Sequence, residues 1–114
     1  WLIADSSMEL YQCKLMVLHA AYKIENGQSF TSEVSMAKHF VANSLWRIID
    51  RAIQVHGALG YSTDTPLAHM LQQARWSRFA DGADEIHQMR IAQRTIAAYK
   101  DHGSTKSATG DLPL

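Results

Sequence analysis

Between Arg75 and Arg90 the sequence reads RWSRFADGADEIHQMR, and its centre, Asp81-Gly82-Ala83-Asp84-Glu85, gathers three carboxylates and a glycine. A carboxylate at a corner between helices can act as a base that removes a proton from a substrate. An Asp in the same place can equally cap the helix that follows. Position alone does not choose between the two. A second candidate lies upstream, in QVHGALGY from Gln54 to Tyr61. Its glycines let the backbone approach a neighbour closely and leave N–H donors bare. Gln54 stands one turn before His56-Gly57, so an amide and an open backbone could meet a ligand together. The same glycines could also do no more than make a corner. No strand precedes them, so this is not a dinucleotide fingerprint of the strand-turn-helix type.

Six histidines raise the question of a metal. Carboxylate-bridged metal bundles need Glu-x-x-His on two helices together with further inward glutamates. Here Asp84-Glu85-Ile86-His87 supplies one Asp-x-x-His and there is no second copy, while His19, His39, His56, His69 and His102 are scattered. Ligand counting therefore predicts no metal site.

The elements that must hold these residues follow from periodicity and breakers. A first helix runs from near Trp1 to Asn26 and stops at Gly27, and a second opens after Thr31 or Ser32 and ends at Gly57. Thr65-Pro66 forms a good N-cap and N1 pair for a third helix, which ends near Phe79. A fourth starts around Ala83 and fades near Gly103. The pattern predicts an all-α fold, a four-helix up-and-down bundle over residues 1–103, followed by a flexible polar tail over 104–114. On the second helix Val34, Ala37, Val41, Leu45, Ile48, Ala52 and Val55 make the expected buried stripe. Asn43, Arg47, Asp50, Arg51 and Gln54 gather elsewhere and read as a solvated face with local ion pairs.

The first helix carries two stripes. Leu10, Cys13, Val17, Ala20 and Ile24 form one, and Met8, Tyr11, Leu15, Leu18 and Tyr22 form another on nearly the opposite side. A helix in a small isolated bundle needs one apolar face, so the second predicts a cover from another domain or subunit.

Composition excludes several classes. With 114 residues the chain is one domain, and 11 basic and 11 acidic side chains cancel, so no basic stripe favours nucleic acid or an anionic membrane. Cys13 stands alone, which excludes an internal disulfide. The apolar runs fall far short of the roughly 20 residues of a membrane span. No signal peptide is visible, and Trp1 in place of Met suggests a start further upstream.

Taken together, Gln54-x-His56-Gly57-x-x-Gly60-Tyr61, Asp64-x-Pro66-Leu67, Ala74-Arg75, Asp81-Gly82 and the run from Ile86 to Ala92 resemble the carboxy-terminal helical domain of the acyl-CoA dehydrogenase family. The stretch upstream of Gln28 looks like a long helix of that domain, so the resemblance covers nearly all of the chain except its tail. It implies an FAD-dependent flavoprotein whose amino-terminal helical and β-domains lie outside this sequence, and a homodimer or homotetramer. An acyl-CoA substrate and an electron acceptor such as an electron-transfer flavoprotein are implied as partners. The compartment would be the cytoplasm in a bacterium, or a mitochondrial or peroxisomal matrix in a eukaryote.

The family's roles carry over where residues match. Gln54, His56, Gly57 and Ala58 would occupy the turn that touches the ADP portion of FAD held mainly by a neighbouring subunit. Ala58 stands where many members have a second glycine. Asp81 would be the catalytic base, in a branch with Asp-Gly in place of the commoner Glu-Gly, and its carboxylate reaches about one methylene less far. Gly82 would line the thioester, with Ala83 and Glu85 near the flavin. The implied reaction is α,β-dehydrogenation of an acyl-CoA, with Tyr61, Trp76 and Phe79 as candidate dry surroundings. The chain by itself is expected to be inactive. The rival expectation is a non-catalytic helical interaction module of the same fold.

Overall fold

A computed structural model describes residues 1–109. Six helices follow in order: α1 Leu2–Glu25, α2 Thr31–His56, α3 Ala58–Tyr61, α4 Leu67–Trp76, α5 Asp84–His102 and α6 Lys106–Thr109. The fold is all-α as the sequence predicts. Its four long helices are the four expected, and two four-residue turns are added. The boundaries have local causes. The Gln28 N–H bonds the Lys23 carbonyl at 2.9 Å and the Gly27 N–H bonds that of Ile24, closing the end of α1. Pro66 serves as the N-cap of α4, one residue later than the sequence suggests, and Thr65 instead turns its hydroxyl toward the Leu59 and Gly60 carbonyls. Helix ends commonly differ by such a margin.

The hub is α2, which packs against every other helix, whereas α1 packs against α2 alone among the described residues. The core is built of small side chains. Cys13, Ala20, Ala37, Ala42, Ala74, Ala98 and Ala108 are buried, and among the described residues Ile49 is the one large apolar side chain with them. Small contacts let helices approach closely, but they remove little apolar surface from water. The accessible surface is accordingly 7921 Å², against about 6300 Å² for a compact monomer of this mass.

On α2 the expected stripe is only partly covered: Ala37 is buried and Val41, Ile48 and Ala52 are half-buried, but Val34, Leu45 and Val55 are 40, 41 and 61 % exposed. Besides Ala37, the buried positions are Ser32, Glu33, Ser35, Ala42, Ser44 and Ile49. Periodicity identified residues that share a face, but that face borders an open groove of about 470 Å³ between α1 and α2. Nor are Arg47 and Arg51 a solvated face with local pairs. Both reach Glu9 on α1 at 2.7 Å. The Arg51 hydrogen bond, opposed by burial and helped by Arg47, holds the Glu9 carboxyl below its ordinary range. At the other end of the pair, Lys23 meets buried Glu33 at 2.6 Å.

The polar segment after Gly103 is also partly ordered. Ser104 accepts from the Lys106 N–H, α6 forms, and Ala108 is buried. The remainder of the expected tail, residues 110–114, lies outside the described residues. Both stripes of α1 contain exposed members, and Met8, Tyr11, Leu15, Leu18 and Tyr22 are all exposed.

Candidate active site

Helix α4 unwinds through successive turns. Ser77, Phe79 and Ala80 bond back to Gln73 and Trp76, and the Asp84 N–H then reaches the Arg78 carbonyl at 3.0 Å. These bonds close a corner over residues 77–84. Its apex is left-handed twice in succession, with φ 53° at Asp81 and 103° at Gly82. Glycine takes that backbone freely, but for an L-residue it costs about 1–2 kcal/mol, and Asp and Asn adopt it only occasionally.

Asp81 is exposed and has no hydrogen bond or ion pair among the described residues. It does not cap α5, because the N-cap is Ala83 and no side chain bonds there. The capping role that the sequence left open for Asp81 is thus absent. The backbone N–H groups of Asp81, Gly82 and Ala83 likewise have no acceptor among the described residues. An outward carboxylate therefore stands beside three open donors.

The corner is braced by the carboxylate that does not point outward. Asp84 is 4 % exposed. It accepts from Arg78 Nε at 2.7 Å and Asn43 Nδ2 at 3.1 Å, and His39 Nδ1 lies 3.4 Å from its other oxygen. Burial alone would raise the Asp84 carboxyl. The Arg78 and Asn43 hydrogen bonds and the charges of Arg78 and His39 outweigh burial and hold it below the ordinary range. From α2, Lys38 Nζ donates to the Ser77 carbonyl at 2.6 Å and toward that of Gly82 at 3.5 Å. Buried His87 packs beneath Gly82, where an added Cβ would stand 2.9 Å from Nε2.

The second candidate region is the bend at the end of α2. Gln54, His56, Gly57 and Ala58 are all exposed, and the Gln54 side chain makes no hydrogen bond among the described residues. His56 Nδ1 lies 2.8 Å from the Ala52 carbonyl, which folds the ring back on its own helix. Nothing comes within 4 Å of a Cβ built at Gly57. An open backbone with a free amide beside it fits the polar part of a dinucleotide. Gly60 acts differently. A Cβ there would meet the Ile53 carbonyl oxygen and His56 Cβ at 2.8 Å, so α3 folds onto α2 only because that Cβ is missing.

The structure therefore brings Asp81, Gly82, Ala83 and Glu85 together at one corner, and Gln54, His56, Gly57 and Ala58 at another. It does not join the two sets. The acidic corner docks on Lys38, His39 and Asn43. Gln54 lies roughly 16–24 Å further along α2 at 1.5 Å per residue. Tyr61, Trp76 and Phe79 are 76, 55 and 55 % exposed, so none is core, and Arg75 stacks its guanidinium 5.5 Å from the Phe79 ring. Sequence reasoning missed Lys38, Arg78 and the bracing role of Asp84. Lys38 left one signal, being a cation on the edge of the stripe formed by Val34, Ala37 and Val41.

The chain is thus an all-α unit that carries a braced acidic corner and an open glutamine-glycine bend. The profile described as "Acyl-CoA dehydrogenase, C-terminal domain" matches residues 1–96, and the chain belongs to the acyl-CoA dehydrogenase family. Mouse acyl-CoA dehydrogenase family member 10 is 43 % identical over 96 residues, which cover 82 % of this chain and 9 % of that protein. The (R)-benzylsuccinyl-CoA dehydrogenase of Thauera aromatica is 37 % identical over 82 % of this chain and 23 % of its own length. The 3-(aryl)acrylate reductase of Clostridium sporogenes is 35 % identical over 82 % and 25 %. A solved structure from Mycobacterium abscessus assigned to the acyl-CoA dehydrogenases superposes with a TM-score of 0.83 at 40 % identity, covering 86 % of this chain and 25 % of that one. The chain thus spans a quarter or less of the length of these relatives.

Proposed function

We propose that this chain is the carboxy-terminal part of an FAD-dependent acyl-CoA dehydrogenase and that Asp81 is the base removing the α-proton of an acyl-CoA thioester. The observation that carries this reading is the division of labour at the corner. Asp84 is buried and braces the corner through the one oxygen that accepts from Arg78 and Asn43, whereas Asp81 is held in a costly backbone with its carboxylate unused. Strain without a structural return is characteristic of functional positions.

In this reading the Asp81 carboxylate oxygen takes the proton from the α-carbon. The unpaired N–H groups of Asp81, Gly82 and Ala83 are donors suited to a carbonyl oxygen that gains negative charge as the proton leaves. Gly82, with no side chain, leaves room for the thioester, and Ala83 and Glu85 lie on the flavin side of it. The Gln54–Ala58 bend holds the ADP portion of FAD belonging to a second subunit, which accords with its distance from the acidic corner along α2. When bound, FAD supplies the acceptor for the β-hydrogen, which leaves as hydride. The partners in this account are an acyl-CoA, an electron acceptor such as an electron-transfer flavoprotein, and a second copy in a dimer or tetramer. The open α1 surface and the groove beside it suit cover by other parts of such an assembly.

The test uses the full-length protein that contains this chain. It is mixed without oxygen with straight-chain acyl-CoA thioesters from butanoyl-CoA to hexadecanoyl-CoA. Bleaching of flavin absorbance with loss of two hydrogens from the thioester is expected. Unchanged absorbance with every thioester would contradict the assignment and favour a non-catalytic helical module. Among the described residues no helix is long and apolar enough to cross a membrane.

A further inference from the structure

His87 is 6 % exposed, and neither of its ring nitrogens has a hydrogen-bond partner among the described residues. Leaving buried polar atoms unpaired costs about 1–3 kcal/mol each, so the ring is an expensive filler unless its shape has a use. Its surroundings show one. The Nε2 edge lies against Gly82, so closely that a Cβ there would stand 2.9 Å away. Gly82 is the second of the two left-handed residues, and Lys38 approaches its carbonyl from α2. Because Asp81 has no side-chain bond of its own, its backbone is fixed only by what holds its neighbours. The imidazole on α5 and the absent side chain of Gly82 are complementary surfaces at the point where the chain reverses.

We propose that His87 is a positioning residue of the acidic corner, acting by shape: its ring is the floor on which Gly82 rests, and it keeps Asp81 turned toward substrate. The proposal rests on the reading of Asp81 as the base. Its polarity has no part in this action, since both nitrogens are idle, so an apolar side chain of similar bulk replaces it. A smaller one leaves a void into which the corner relaxes. Displacing a reacting group by about 1 Å costs up to about a hundredfold in rate.

The test compares three forms of the full-length flavoprotein in anaerobic bleaching by the same straight-chain acyl-CoA thioesters. His87→Ala is expected to lower the limiting bleaching rate by roughly ten- to a hundredfold, with a smaller change in the thioester concentration giving half the limiting rate. His87→Leu is expected to retain the rate to within about threefold, and to unfold at a higher temperature because two idle polar atoms are gone. An unchanged rate in His87→Ala would overturn the proposal. A loss in His87→Leu as deep as in His87→Ala would overturn it too, because polarity would then matter.

A second readout needs no catalysis. Gly82→Ala is expected to lower the melting temperature, and to lower it by less when His87→Ala removes the ring. Equal drops in both backgrounds would contradict the contact. If no thioester bleaches the wild-type flavin, the assignment of Asp81 fails, while this thermal cycle still decides whether His87 supports the corner.

Discussion

The two corners of this domain are built in opposite ways. The glutamine-glycine bend is local: Gly60 lets α3 fold onto the end of the helix it follows, and Ser62 and Thr65 bond carbonyls within six residues. The acidic corner is assembled from afar. Lys38 reaches Ser77 and Gly82, and Asn43 reaches Asp84, across 39 to 44 residues of sequence. Local geometry suffices to leave the backbone of the bend open. The acidic corner is held only by bracing from several elements. The contrast also separates the acids: Asp84 spends its charge on the brace, and Asp81 keeps its own free.

Removing the brace is the strongest way to break the contrast. Asp84→Ala leaves Arg78 and Asn43 without their shared acceptor. About 3 kcal/mol of unfolding free energy should be lost, the low end for a buried pair because Arg78 is one-third exposed. Denaturant unfolding measures this. The same carboxyl predicts an acid dependence. Its folded-state pKa is depressed, so its contribution is present above the unfolded value near 4 and is lost as pH falls toward the folded one. In Asp84→Asn the decline of stability below about pH 4 should be shallower than in the wild type. An equally steep decline would move the acid sensitivity elsewhere, Glu9 being the next candidate.

The bend should break by sterics and not by charge. Gly60→Ala drives a Cβ into the Ile53 carbonyl, a backbone atom that cannot swing aside. A loss of about 2 kcal/mol, independent of pH, is expected. The smallest effect carries the opposite sign. Asp81→Gly relieves the left-handed strain, offset in part by greater freedom of the unfolded chain, and should stabilise by about 0.5 kcal/mol while abolishing activity. A destabilised Asp81→Gly would show that the aspartate helps to hold the fold.

Much of this was legible in the sequence. Gly27, Gly57, Pro66 and Gly103 mark helix ends on local grounds, and both corners stand out by composition. What escaped was long-range. Apolar spacing placed Val34, Val41 and Leu45 on one face, but only packing decides whether a face is covered, and this one borders the open groove beside α1. Arg47 and Arg51 sit at the spacing of a solvated helix face, and nothing local points to Glu9 some forty residues away. Among three acids within five residues the resemblance pointed to Asp81 as the base, but nothing in the sequence marked Asp84 as the brace. That distinction required the positions of Lys38, Asn43 and Arg78.

Of all the measurements, anaerobic flavin bleaching by Asp81→Asn in the full-length protein bears most directly on this division. Asn accepts the same left-handed backbone and is nearly the same size, so fold and bound FAD should persist. Such a variant is expected to keep its flavin colour, with bleaching by acyl-CoA slowed beyond detection. Bleaching at the wild-type rate would contradict the assignment of Asp81.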